Sequence, residues 1–592
     1  MLKAKELYQK IKGTRRHKTI GVVLTFALPV FFVLVIEFAQ KQSVSILLEF
    51  VLKRTTVFIF DVLFIGLVYA GLLFLLKRAW IASIPIFVFF YLAALAEFFK
   101  YKSSGIHFDI ADVVMIKDMS QLTKFGGVAI NGRIVATFLV IFLYIFALFW
   151  FRAKISFKRK CSLIVGALLV CAVFSIVATP VGKPVYSFMG VNTETVSNPI
   201  EGEIKFRENS FLALLIESIS TKITGNTGKY IPPEDVEGAV KSVLLPGTEA
   251  TSDIQPNIIV IMCESFSDFR TLFKDVPDSY YTNFDSFRKA GNSFTNIVPA
   301  FGGSTIRTEF ELLLGIPMMS LPDVSLPQFA LKSRESQLTI ASQLKSKGYY
   351  STYIHPYHRD FYSRDTIYSQ FEFDEMMFLD VLEDREKIGW FVSDAAVGGI
   401  IADKIRTEDK PLYIHATTMQ NHQPYNFDAE LSEYEYYLKI LSETNRGLGQ
   451  LKAQLDTITE PTIVLFTGDH LPNFVEKDQE SLQRSGRTFY NPFSDAGLDA
   501  ATAHKIYREE AFVWNNYGAD LSAFSGDISS FYLPHMLIEA AGVGLSPFSN
   551  TVLNVKKTVP IYSSNYKNKI KRNDILDLLT YDIVYGDCFS GR

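Results

Sequence analysis

The sequence is short of several things. It has only four cysteines in 592 residues, Cys161, Cys171, Cys263 and Cys588. Two share one apolar run and the others stand far apart, so neither a disulfide framework nor a CxxC metal knuckle is present. A net charge of −3 shows no basic excess, which argues against nucleic acid as a partner. Neither GxGxxG nor GxxxxGK[ST] occurs, so the common nucleotide-phosphate loops are missing. There is no internal repeat and no low-complexity tract. What is present is apolar: 48% hydrophobic and 14% aromatic residues with 20% charged, and a mean hydropathy of +0.16. That is too apolar for an ordinary soluble enzyme and too charged for a bundle lying wholly in a membrane, so a mixed protein is expected.

Five apolar stretches of about 20 residues each suit bilayer-crossing helices: roughly Thr19–Phe38, Thr56–Leu76, Ala79–Phe98, Ile134–Phe151 and Ser162–Val181. Asp61 is the notable charge inside them, read either as an interfacial carboxylate or as one facing a neighbouring helix. Basic residues cluster before the first stretch (Arg15, Arg16, Lys18), between the second and third (Lys77, Arg78) and between the fourth and fifth (Arg152, Lys154, Lys158). By the positive-inside rule these segments are cytoplasmic, and five crossings place the rest of the chain outside the cell. The loop His107–Gln121 belongs to the outer face. The organisation expected is 1–181 transmembrane, 182–252 a proline-rich juxtamembrane connector, and 253–592 an extracellular α/β domain with a mostly parallel sheet. Within the connector, Ser210–Lys222 reads as an amphipathic helix lying on the membrane or packing on the outer domain.

From Pro256 onward short β-branched runs alternate with amphipathic stretches. Strands are expected at Asn257–Met262, Tyr349–Ile354, Pro411–Ala416, Thr462–Phe466 and Ala511–Trp514. Four of them lead directly or shortly into residues fit for chemistry: Glu264, His355, His422, and Asp469 with His470. Open α/β sheets bind ligands at the carboxyl ends of their strands. Five of the nine histidines (His355, His358, His415, His422, His470) crowd into this stretch. Glu264 suits a divalent cation or a turn cap. Asp469 and His470 in LFTGDHLP offer two unlike metal ligands, with Gly468 permitting a sharp turn. In FGGSTIRTEFELLLG, Ser304 or Thr305 either caps a helix, or Thr305 stands at a helix N-terminus as a metal-activated nucleophile toward phosphorus. Arg364 suits a two-pronged phosphate clamp, its plainer reading being an ion pair with Asp360 or Asp365. His422 is a general acid for a leaving oxygen or a hydrogen-bond donor to phosphate. His358 and His415 read as structural, and Arg307 as a salt-bridge former.

The motifs IVIMCESFSDF, GGSTIRTEFELLLG, YIHPYHRDFYSRDTIYSQFEFD, TTMQNHQPYN, LFTGDHLP and AFVWNN, in that order after the apolar stretches, resemble the lipoteichoic acid synthase and phosphoglycerol transferase family of the alkaline phosphatase and sulfatase superfamily. The resemblance covers nearly the whole chain. It implies that Glu264, Thr305, Asp469 and His470 hold one divalent ion, commonly Mn²⁺, with Mg²⁺ or Zn²⁺ as alternatives, and that Thr305 is the nucleophile. It also implies that His355, Tyr362, Arg364 and His422 line a head-group pocket. The reaction implied moves glycerol phosphate from phosphatidylglycerol, a membrane lipid, to a glycan or polyglycerol-phosphate acceptor of the cell envelope. Two departures stand out. Tyr357 replaces an acidic residue, which bears on the acceptor or head group, and Phe371-Glu372 replaces leucine-glycine. The alternatives are a phosphoethanolamine transferase, against which the shortage of outer cysteines argues, and a phosphodiester or sulfate ester hydrolase. A sulfatase proper needs a CxPxR-like segment, and none occurs.

Overall fold

The computed structural model describes residues 14–104, 107–108, 112–113, 131–151, 159–178, 182–193, 205–206, 208–224, 230–273, 275–322, 324–425, 427–428, 430–472, 474, 504–564, 566 and 571–591. Most of the expected loop His107–Gln121, Val181 at the end of the fifth expected stretch and parts of the connector lie outside these residues.

Among the described residues, four helices are long and apolar enough to cross a membrane: α1 (Arg15–Lys41), α2 (Thr55–Leu76), α3 (Ala79–Tyr101) and α4 (Gly132–Trp150). Four such helices stand against the five expected, and the fifth expected stretch is the difference. The fifth stretch falls on a helix of 20 residues, α5 (Arg159–Ala178), whose described apolar part is Ile164–Ala178. It lies antiparallel to α2, with Gly166 against Leu75, Leu169 and Val170 against Gly71, and Tyr186, packed on Phe60, bonding the Ile176 carbonyl. Small residues at such a contact let helix backbones approach.

The helix ends fix which face the chain leaves from. The start of α4 is tied to the end of α1, where Asn131 and Arg133 donate to Gln42, and the far end of α4 puts Phe151 on the His17 ring. The connector helix α6 (Phe211–Thr224) begins beside the end of α1: Glu37 accepts from the amides of Phe211 and Leu212, each at 3.3 Å. Ser210 donates to Asp61 at 2.9 Å. Carboxylates at a helix N-terminus offset its unpaired amides and positive dipole end, so Asp61 faces a neighbouring helix. Phe211, Leu212, Ala213, Leu215 and Ile216 are buried in the apolar core of the helical domain. Thus α6 belongs to that domain rather than lying on its surface or on the outer domain. The chain departs from the end opposite Arg15, Arg16 and Lys18.

Beyond residue 256 the chain forms an eight-stranded sheet in the order β10-β2-β9-β8-β1-β7-β3-β4. The strands are β1 (Asn257–Cys263), β2 (Asn292–Ile297), β3 (Tyr350–Ile354), β4 (Glu375–Met377), β7 (Leu412–Thr417), β8 (Thr462–Gly468), β9 (Arg508–Asn515) and β10 (Asp527–Ser529), with a separate hairpin of β5 (Lys387–Ile388) and β6 (Phe391–Val392). Only β9 opposes the others, pairing antiparallel with both β2 and β8. The central strands β1 and β8 are buried along their whole length. Their alternate residues feed two cores: Ile258, Val260, Ile463 and Leu465 on one face, Ile259, Ile261, Val464 and Phe466 on the other. Continuous apolar strands are what helices on both faces demand. The five expected strands are all present. β2, β4 and β10 escaped sequence reading because NSFTNI, EMM and DIS are short or polar.

Gly468 plays a different part from the one expected. Its φ is not positive; instead a Cβ there would meet the Phe266 carbonyl oxygen at 2.0 Å. The glycine permits the close approach of two strand exits.

The orientation of the helical ends yields a labelling prediction. In a cysteine-free background, an impermeant thiol reagent applied to intact cells is expected to label Ile231→Cys and to spare Lys18→Cys. The reverse pattern contradicts the arrangement.

Candidate active site

Parallel strands bring their carboxyl ends to one edge. Cys263 is registered against Gly468, so Glu264 and Asp469 leave adjacent strands side by side, with His470 next in line. All three are buried, and one ligand atom from each lies within 4.8 Å of the others. Thr305 opens α7 (Thr305–Leu314). The turn before it carries three positive φ values, Gly302, Gly303 and Ser304, and is pinned where Gly302 donates to the Leu471 carbonyl at 2.9 Å. Thr308 then fastens α7 to the strand exit by donating to the Asp469 carbonyl at 2.7 Å. Ser304 makes no side-chain cap, so the plain capping reading fails for it. The Thr305 hydroxyl points inward, 3.1 Å from Glu264 Oε2 and 3.3 Å from His470 Nε2.

The donor set fits a cation. Asp469 Oδ1 accepts from the amides of Ser265 (2.7 Å) and His470 (2.9 Å), while Asp469 Oδ2 is buried with no hydrogen-bond partner. An orphaned buried carboxylate oxygen is costly unless a positive group meets it. It lies 3.1 Å from His470 Nε2. His470 Nδ1 must donate to the Leu471 carbonyl at 3.1 Å, which leaves Nε2 as the ligating lone pair, the usual arrangement of a metal-binding histidine. Burial, and then the Asp469 charge, push the Glu264 carboxyl up to about 8; a divalent cation reverses that penalty. Two carboxylate oxygens, one imidazole and a hydroxyl suit Mn²⁺, Mg²⁺ or Zn²⁺.

One turn beyond Thr305 stands a residue that sequence reading passed over. Glu309 is fully buried and accepts from five groups: Arg364 Nε (3.0 Å) and Nη2 (2.9 Å), Tyr368 OH (2.7 Å), Tyr353 OH (2.5 Å) and Thr417 Oγ1 (2.6 Å). Arg364 therefore pairs with Glu309, not with Asp360 or Asp365, and its Nε–Nη2 edge is engaged. The phosphate clamp expected from sequence is limited to the Nη1 side. Burial alone would raise the Glu309 carboxyl, but Arg364 and the nearby His355 hold it at about 2. The clue was in the sequence: a carboxylate four residues after Thr305 shares its helix face.

Tyr362 and Ser363 both adopt left-handed backbone, φ 59° and 56°, a costly conformation for non-glycine residues that clusters at functional sites. It sets the Tyr362 ring 5.2 Å from the Arg364 guanidinium carbon. His355 donates from Nδ1 to the Thr417 carbonyl at 3.0 Å, and its buried Nε2 has no partner. Burial, reinforced by Arg364, lowers His355 to about 3, so it is neutral and Nε2 can only accept. His422 donates from Nδ1 to the Gln423 carbonyl at 2.6 Å, and burial keeps it below the ordinary histidine range. The structure thus gathers Glu264, Thr305, Asp469 and His470 tightly, and arranges His355, Tyr362 and Arg364 around Glu309 and Thr417. His415 is buried with neither ring nitrogen bonded, and His358 is exposed. Arg307 donates to the carbonyls of Pro299 and Val324 rather than forming the salt bridge expected.

Three comparisons bear on this geometry. Residues 256–543 match the sulfatase family model. A Rhizobium meliloti protein named for cyclic beta-1,2-glucan modification is 30% identical over 235 residues, 37% of this chain and 36% of that protein. Lipoteichoic acid synthase of Staphylococcus saprophyticus is 23% identical over 446 residues, 67% of this chain and 63% of that protein. The chain spans between about a third and two thirds of these relatives' lengths. Among solved structures, Streptococcus pyogenes phosphoglycerol transferase GacH in complex with sn-glycerol-1-phosphate is similar at 18% identity and a TM-score of 0.46, covering 60% of this chain and 92% of that one.

Glu309→Gln removes the charge that fixes Arg364 while keeping its shape. Removing one partner of a buried pair leaves the other uncompensated, at about 3–5 kcal/mol. The expected result is a lowered melting temperature together with a KM for substrate raised at least about tenfold. An unchanged KM contradicts a link between Glu309 and substrate.

Proposed function

We propose that the chain, whose residues 256–543 match the sulfatase family model, is a membrane-bound, metal-dependent phosphoglycerol transferase. It takes glycerol phosphate from phosphatidylglycerol and passes it to a glycan or teichoic-acid acceptor on the outer face of the membrane. The observation that carries this reading is the Thr305 hydroxyl at a helix N-terminus, within 3.1 Å of Glu264 and 3.3 Å of His470, beside the unpartnered Asp469 oxygen.

A divalent cation held by Glu264, Asp469, His470 and Thr305 supplies Lewis-acid polarisation of a phosphate oxygen and lowers the pKa of the Thr305 hydroxyl. The protein's own groups do the rest. Thr305 Oγ1 attacks phosphorus, forming a threonyl phosphodiester as the bond to the diacylglycerol oxygen breaks and that oxygen takes up a proton. No side chain caps α7, so its first amides and dipole favour the charged phosphoryl group. Arg364 adds its remaining edge, held still by Glu309. The neutral Nε2 of His355 accepts from a head-group hydroxyl. His422, neutral with Nδ1–H spent on Gln423, presents Nε2 as a base for the incoming acceptor hydroxyl. Attack by that hydroxyl restores Thr305. Outside the cell no ATP is at hand, and a phosphodiester donor brings its own reactive bond.

Support for this assignment over a phosphoethanolamine transferase comes from the lipoteichoic acid synthase relative, aligned over two thirds of this chain. Support for a glycan acceptor comes from the relative named for glucan modification. The outer location rests on the positive-inside rule together with the departure of the chain from the end opposite Arg15 and Arg16.

The test is release of diacylglycerol from labelled phosphatidylglycerol by the purified intact chain. Release is expected with Mn²⁺, lost on chelation, and reduced at least about a thousandfold in Thr305→Ala, as for other covalent nucleophiles. Release from phosphatidylethanolamine alone would transfer the assignment to the rival transferase. Release indifferent to Thr305 would refute the mechanism.

A further inference from the structure

Among the described residues after Pro256, the exposed large apolar side chains are Val381, Trp390 and Phe427. Two of these three form a pair. Trp390 occupies the two-residue turn between β5 and β6, where Gly389 takes a φ of 60°, and its ring meets Phe427 edge-on at 4.5 Å. Trp390 is 53% and Phe427 37% exposed. Exposing two large rings in a domain that buries nearly all its others calls for a ligand.

The segments that carry the pair also reach the candidate active site. Phe391, next to Trp390, packs its ring 5.8 Å from His422 and 6.3 Å from Tyr357. The Tyr357 ring in turn lies 6.2 Å from that of His355. Trp390 is thus the chain neighbour of a ring that packs on His422, and Phe427 lies five residues beyond His422 itself.

Charge at the rim selects the occupant. Before Trp390 come Glu383, Asp384, Arg385, Glu386 and Lys387, all exposed, and beside Phe427 come Asp428 and Glu430. Of these five carboxylates, Glu386 and Asp428 pair with Arg446 and Lys439. The rim therefore holds no cationic excess with which to grip a polyanionic glycerol-phosphate chain or an anionic bilayer. Flat aromatic faces beside many hydrogen-bonding side chains suit a neutral sugar, which has apolar C–H faces and a hydroxyl edge.

We propose that Trp390 and Phe427 form the acceptor subsite, and that the acceptor is a neutral glycan rather than a polyglycerol-phosphate chain. This deepens the transferase reading above and rests on it for the chemistry. A sugar hydroxyl forms its O–P bond as the Thr305 Oγ1–P bond breaks; the hydroxyl proton passes to His422 Nε2, and Thr305 recovers a proton from there.

The test uses the intact chain in nanodiscs, in a Thr305→Ala background, so binding is read whether or not the donor reaction is as proposed. The probe is a neutral β-linked glucose hexasaccharide, followed by saturation-transfer NMR. Saturable binding is expected, weakened about tenfold by Trp390→Ala and by Phe427→Ala and largely retained in Trp390→Phe. Both side chains are exposed, so the fold tolerates their loss. The proposal is overturned by absent binding, by binding indifferent to both alanines, by preferential Trp390-dependent binding of a glycerol-phosphate oligomer, or by quenching of Trp390 by brominated lipids in the nanodisc.

Discussion

Two carboxylates and an imidazole are buried together where two neighbouring parallel strands end, and everything at this site answers to that placement. Glu264 and Asp469 are neighbours because Cys263 and Gly468 are in register, and the strands approach closely because position 468 carries no side chain to hit the Phe266 carbonyl. Such a cluster is electrostatically unfavourable by itself: a buried carboxylate oxygen without a partner, beside a second carboxylate, costs far more than one hydrogen bond returns. A divalent cation held by Glu264, Asp469 and His470 would make the same arrangement a stable one, with the Thr305 hydroxyl within reach of the set.

Around this centre lies a second buried electrostatic unit. Glu309 gathers Arg364, Tyr353, Tyr368 and Thr417 from β3, β7 and the segment after β3, and it sits one turn along the helix that starts with Thr305. One short helix therefore carries both Thr305, the proposed nucleophile, and the anchor of Arg364. Their separation is fixed by helical geometry rather than by loop packing, which is the kind of preorganisation that transfer chemistry rewards.

How much of this could be read from the sequence follows the range of the interactions. Glu264, Asp469 and His470 were legible because each follows an uninterrupted apolar run, and a strand end is a local feature. Thr305 was legible as a nucleophile or a cap, and the left-handed φ of Ser304, which decides against the cap there, required coordinates. The Glu309–Arg364 pair was not legible as a pair, because its partners lie 44 to 108 residues away. Asp360 and Asp365 were the nearer but wrong choices. In the helical region, four of the five expected stretches fall on described helices long and apolar enough to cross a membrane. Hydropathy missed that α6 is held by Glu37 and Ser210, since capping between distant helices leaves no trace in periodicity. The exposed pair Trp390 and Phe427 could not be distinguished from core aromatics until burial was known.

The central claim is that Thr305 becomes covalently attached to the transferred group. The most direct measurement is intact-mass and peptide analysis of the chain quenched during turnover of phosphatidylglycerol with Mn²⁺. The account predicts a glycerophosphate adduct on the peptide carrying Thr305, absent from Thr305→Ala and lost on adding an acceptor. Turnover without any adduct, or an adduct on another residue, would contradict it.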